Sequence, residues 1–170
     1  RVSRLQRQPT MPDSPSPEKL EKRARNVLLF QLSRSMKTKR QLADILKKRE
    51  IPDEIVLPLL DRFEEVQLID DAVFAHAYVR SRQEQGKSAR LISRELGQKG
   101  VSSEIIDQAV SEISQDDERE MVLSLARARW ERMAALDRDT RYRRVSGFLM
   151  RKGFASGMVS AALREVSASD

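Results

Sequence analysis

The chain has 170 residues, of which 34% are charged and only 5% aromatic, and it carries a net charge of +6. That aromatic content is too thin for one large globular core and suits small helical units stacked in a row. There is no cysteine, which excludes a disulfide framework and thiolate metal sites, and His76 is the sole histidine.

No apolar run is long enough to span a bilayer and no signal-peptide pattern opens the chain, so a soluble cytoplasmic protein is expected. Arg1–Pro17 holds four of the six prolines and almost no large apolar residues, and is read as a disordered Pro-rich leader. Ser16-Pro17-Glu18 then supplies a cap, a first-turn proline and a first-turn acid. The first helix, Glu18–Ser33, places Leu20, Ala24, Val27, Leu28 and Leu32 on one face. Thr38-Lys39-Arg40-Gln41 fits a capping box at the start of a second helix. Asp53 is placed to cap a third, where Pro58 removes a backbone donor and is expected to kink the helix or delay its first regular turn.

Asp70 can cap a fourth helix with an apolar face of Val73, Phe74, Ala77 and Tyr78, ending near Gln85-Gly86-Lys87. His76 sits one position off that face and reads as a surface histidine. From Ser88 the chain repeats itself. Ser88–Ile113 aligns without a gap on Thr38–Phe63, and Arg141–Val166 aligns on both, at offsets of 50 and 53 residues. Leu42, Ile92 and Val145 share one column, and Leu46, Leu96 and Leu149 the column four residues on, which sets each pair on one helix face. Gly100 and Gly153 then fit a left-handed helix end, with Val101 and Phe154 as the apolar contact of a Schellman turn. The first copy departs there, with Glu50 in the glycine column. Asp53, Ser103 and Ser156 are read as caps of each copy's last helix. An acidic junction at Ser114–Asp117 precedes a long helix, Glu118–Ala135, in which Trp130 reads as packing before it reads as a base-stacking ring. Asp137–Thr140 is a short break before the third copy.

The fold class expected is therefore all-α: three three-helix units at 18–67, 70–114 and 116–167. Charge alternates along them. Residues 34–49 carry seven basic residues against Asp44, whereas 53–71 carry seven acidic ones against Arg62. The second unit repeats this, basic at 78–99 and acidic at 103–120, and 127–152 returns to nine basic against three acidic. Helix-to-helix complementarity and a polyanion- or partner-binding stripe both account for the pattern. No glycine-rich phosphate loop, HExxH, cysteine nucleophile or histidine beside a plausible serine is present, so no enzyme, metal site or cofactor is expected. Acidic pairs at Asp70-Asp71 and Asp116-Asp117 are too diffuse for a metal.

One stretch is more specific: Leu68-Ile69-Asp70-Asp71-x-x-Phe74-Ala75-x-x-Tyr78-Val79-x-Ser81-Arg82. It continues through Gly86-Lys87 to Arg90-Leu91-Ile92-x-x-Glu95-Leu96-x-x-Lys99-Gly100-Val101. With Leu42/Leu46 before it and Arg151-Lys152-Gly153-Phe154 after, the chain resembles the RecX family, bacterial regulators of the RecA recombinase, from about Lys19 to Val166. The resemblance implies three tandem three-helix repeats in an elongated, curved array. It also implies binding in the groove of the RecA–DNA filament, with suppression of ATP hydrolysis, strand exchange and SOS activity, and a monomer is expected.

Candidate contact residues are chosen by charge: Lys39, Arg40, Lys47 and Lys48 in the first unit; Arg80, Arg82, Lys87, Arg90 and Arg94 in the second. The densest cluster is Arg127, Arg129, Arg132, Arg138, Arg141, Arg143, Arg144, Arg151 and Lys152, facing single- or double-stranded DNA or acidic protein. A helix-turn-helix DNA-binding protein is the rival reading. Against it, the helices after the first two turns, Asp53–Glu65 and Ser103–Glu112, are acidic and would be repelled by phosphates.

Overall fold

A computed structural model describes residues 14–170, so most of the Pro-rich leader lies outside the described residues. These residues form nine α-helices and no strand. They are α1 (Pro17–Arg34), α2 (Lys39–Lys48), α3 (Asp53–Glu65), α4 (Asp71–Glu84), α5 (Ala89–Gln98), α6 (Ser103–Val110), α7 (Gln115–Arg132), α8 (Arg138–Arg151) and α9 (Ser156–Ala168). They fall into three three-helix repeats. Within each, the first helix packs on the third: α1 on α3, α4 on α6, α7 on α9. Each repeat has its own apolar core, centred on Leu28, Leu42, Leu46 and Leu60 in the first, Ile92 and Leu96 in the second, and Trp130, Leu149 and Leu163 in the third.

Two compact units result. One contains the described residues up to Met36 with Leu42–Ile69; the other contains Lys37–Gln41 with Asp70–Asp170. The start of α2 thus belongs with the second unit.

Helix ends explain why the three copies keep register. Ile51, Val101 and Phe154 donate their N–H groups to the carbonyls of Leu46, Leu96 and Leu149, five residues back. Glu50, Gly100 and Gly153 donate to Lys47, Gly97 and Met150. This is the Schellman pattern, and it requires a left-handed residue between the two helices. That residue is Glu50 at φ 60°, Gly100 at φ 86° and Gly153 at φ 92°. The apolar residues after it, Ile51, Val101 and Phe154, are all buried. Gly86 closes α4, and Gln67 closes α3, in the same conformation.

A side chain at Gly100 would overlap Arg40, and one at Gly153 would overlap Ser88 and Leu91. Glu50 is exposed, so only the backbone cost remains at that turn.

Four expectations change. The caps of α3, α6 and α9 are Pro52, Ser102 and Ala155, each one residue before the expected Asp53, Ser103 and Ser156. The turn needs only its left-handed residue and one buried apolar residue before the next helix can open. The long helix begins at Gln115, because Ser114 Oγ accepts from Asp117 N at 3.0 Å and the acids Asp116, Asp117 and Glu118 suit the first turn. α8 starts a turn before the third copy, capped by Asp137, whose carboxylate accepts from Thr140 N at 3.0 Å. α3 runs unbroken through Pro58, which is exposed.

The capping box at α2 forms as read, with Thr38 N to Gln41 Oε1 at 3.0 Å and Gln41 N to Thr38 Oγ1 at 3.1 Å. The test of the turn is comparative. Glu50→Gly should be neutral or stabilise by about 0.5–1 kcal/mol, whereas Gly100→Ala should destabilise by more than about 1 kcal/mol. Urea unfolding midpoints of the two variants against the parent decide it.

Candidate polyanion-binding face

The basic residues separate into those the fold consumes and those it leaves to solvent. Consumption is clearest in the second repeat. Glu95 of α5 accepts from Tyr78 Oη at 2.5 Å and Lys87 Nζ at 3.0 Å, and Arg82 Nε lies 3.3 Å away. Arg82 also stands over the Tyr78 ring at 4.9 Å, and Lys99 lies 5.5 Å from the same ring. Burial would raise the Glu95 carboxyl, but the Tyr78 hydrogen bond and the two cations outweigh it and hold the group below its ordinary value of 4.5. Burial and the Glu95 hydrogen bond push the Tyr78 hydroxyl up. Arg82 and Lys87 therefore brace α4 against α5.

The third repeat consumes three more. Arg141 is buried at 8% exposure, with Nε donating to the Trp130 carbonyl at 2.7 Å and Nη1 to Asp170 at 2.8 Å. Its guanidinium lies 4.0 Å from the centre of the Trp130 ring, whose Nε1 donates to the same Asp170 oxygen at 2.8 Å. Trp130 is 1% exposed and is packing. Arg129 covers Phe148 at 4.0 Å, and Lys152 donates to the Gln85 carbonyl at 2.9 Å.

The remaining arginines of the sequence-based set in the second unit are exposed and, among the described residues, form no ion pair. They are Arg40, Arg80, Arg90, Arg94, Arg127, Arg132, Arg138, Arg143, Arg144 and Arg151. Lys47 and Lys48 are exposed in the first unit, and Lys39 is half-buried. Arg40, Arg90 and Arg143 occupy one column of the repeat, and Arg94 follows Arg90 by one helical turn.

Their placement is costly. α2 and α5 carry no acid in the first turn, where Lys39, Arg40 and Arg90 instead face the positive end of the helix dipole. Carboxylates from the first helix of the following repeat offset this. Asp71 accepts from Lys39 N at 2.9 Å, and Glu118 accepts from Ala89 N at 2.5 Å. The acidic pairs thus serve helix ends: Asp70 caps α4 through Val73 N, and Asp116 lies 3.5 Å from Arg119. No group of three or more metal-ligating residues occurs among the described residues. His76 Nδ1 lies 3.5 Å from Glu112 at the surface.

Helical repeats with capped turns and a periodic row of exposed arginines define a three-helix-repeat protein. Residues 24–63, 70–110 and 116–163 match, in that order, the first, second and third three-helix domains of RecX. The chain is 44% identical to the regulatory protein RecX of Streptomyces lividans, over 84% of this chain and 76% of that one. It is 40% identical to that of Thermobifida fusca, over 89% and 83%. The crystal structure of RecX from Lactobacillus salivarius superposes with a TM-score of 0.77 at 20% identity, covering 89% of this chain and 99% of the other. The chain belongs to the RecX family.

The two groups of cations should respond differently to mutation. Arg141→Ala should destabilise by about 2 kcal/mol, the scale of hydrogen bonds to a charged group. Arg90→Ala should leave the unfolding midpoint within about 0.5 kcal/mol of the parent. Glu95 sets a pH test. Its carboxyl is depressed in the folded chain, so its stabilisation is full above about 4.5 and is lost as pH falls through the folded value. The stability gap between parent and Glu95→Gln should hold at neutral pH and narrow as pH falls below the ordinary carboxyl value, read by urea titration at each pH.

Proposed function

We propose that this chain is a non-enzymatic regulator that seats on a RecA–DNA filament through the exposed arginines of its second unit. Seated there, it slows ATP hydrolysis and strand exchange, and with them recombination and SOS induction. The observation that carries the reading is the surplus of exposed arginines on α5, α7 and α8 that form no close ion pair among the described residues, in a chain whose relatives are named regulatory proteins. A filament presents both DNA phosphates and acidic protein, and arginine suits either by its planar fork of donors. The protein acts as a monomer, needs no cofactor and works in the cytoplasm, where the filament forms.

The test is the rate of DNA-dependent ATP hydrolysis by RecA with increasing amounts of this chain. Inhibition is expected at levels below those needed to coat the DNA. Arg90, Arg94 and Arg143 together to Glu should abolish it while the fold persists. The three are preferred to Arg141, which is buried and whose loss would destabilise the third repeat without discharging the face. If phosphates are the target, the triple variant should also flatten the slope of log K against log salt for DNA by about two to three. Loss of DNA binding with full inhibition retained would assign the row to a plain DNA-binding protein and overturn the reading.

A further inference from the structure

A second basic surface lies wholly in the first unit, and none of its residues is in the set above. It is a cleft of about 490 Å³ lined chiefly by Lys19, Lys22, Arg23, Asn26 and Phe30 of α1, with Arg49 from the end of α2. Four of these six are cations, no carboxylate lines the cleft, and none of the four is ion-paired among the described residues. The acid that might have neutralised it, Glu21, is engaged with Arg25 at 2.7 Å. At spacings of three, four, seven and eleven residues the α1 members form one stripe, which spans about 16 Å of helix.

Charge alone would fit any polyanion, but Phe30 narrows the choice. It is 55% exposed, the most exposed aromatic ring among the described residues, and it lies off the face on which Ala24, Val27 and Leu28 are buried. Packing does not account for it. The Arg34 guanidinium sits 5.6 Å from its ring centre, so one face of the ring already carries a cation and a flat π-surface would stack on the other. Asn26, between the cations and the ring, offers one acceptor and two donors to a base edge. Cations that track a backbone beside an aromatic platform are the construction by which unpaired nucleic acid is held. An acidic peptide would use the cations and leave Phe30 and Asn26 idle, and a duplex keeps its bases inside the stack.

We infer that the α1 cleft binds single-stranded nucleic acid, with phosphates on Lys19, Lys22, Arg23 and Arg49 and one base stacked on Phe30. The site stands apart from the recombinase reading, because its test contains no recombinase. Fluorescence anisotropy of the full chain would use a labelled oligo-dT of about 15 nucleotides and a duplex of equal length, with an oligo-glutamate peptide as competitor. Phe30→Ala should weaken oligo-dT binding about tenfold or more and leave duplex binding within about twofold. Phe30→Trp should restore single-strand affinity, with its fluorescence quenched on binding. Lys22→Ala with Arg23→Ala should flatten the single-strand salt slope by about 1.4. Every substituted side chain is at the surface, so unchanged far-ultraviolet circular dichroism is the control. Unaltered oligo-dT affinity in Phe30→Ala, or equal losses on single strand and duplex, would overturn the assignment. Displacement of the strand by oligo-glutamate at matched charge would do the same and identify an acidic peptide as the occupant.

Discussion

The close approach at the left-handed turns governs the second unit. Thr38 and Ser88 are almost wholly buried, and each must place a polar atom against the turn that receives it. Thr38 Oγ1 donates to the Lys99 carbonyl at 2.6 Å, and Ser88 N donates to the Lys152 carbonyl at 2.9 Å. These are the carbonyls of the C-cap residues of α5 and α8, groups with no intrahelical partner. A buried orphan carbonyl costs about 1–3 kcal/mol, so the contact answers a need at the helix end and at the arriving segment together. It can form only because residues 100 and 153 have no Cβ. The glycine serves twice, once for its positive φ and once for the space it leaves.

The same joint shows why one copy escapes the rule. The turn at Glu50 has the left-handed backbone of its counterparts, but Glu50 is exposed, so space is no constraint there. Glutamate then meets only the conformational cost, on the order of 1–2 kcal/mol. In the third copy the column of Thr38 and Ser88 holds Arg141, which turns back into its own repeat and satisfies the Trp130 carbonyl and Asp170. The repeat thus varies where its partner surface varies.

Much of this was legible in the chain. The gapless alignment of three copies placed the turns, and the apolar columns named the buried residues, because both follow from helical period alone. Helix starts were less legible. Ser114 and Asp137 gave cap signals that were read as junction and break, since an acidic run suggests solvent before it suggests a first turn. The division of cations was beyond the sequence. Arg141 and Arg143 differ by two residues in one helix, yet one is buried against Trp130 and the other is open to solvent. Nothing local distinguishes them, because the partner of Arg141, Asp170, lies far along the chain.

Alternating charge along the chain acquires a cause from these joints. Acidic residues gather at the starts of α3, α4 and α7, where they suit the dipole, and Asp71 and Glu118 reach across to cap the helices that begin with cations. The acids are therefore held by backbone N–H groups and serve the fold. Arg40 and Arg90 at the starts of α2 and α5 form no such bond; their position is tolerable because a carboxylate from the first helix of the following repeat already occupies each dipole. A chain selected for stability alone would put acids in both places. Arg40 and Arg90 stand there instead, with Arg143 in the same column of the third copy, and none of the three forms an ion pair among the described residues.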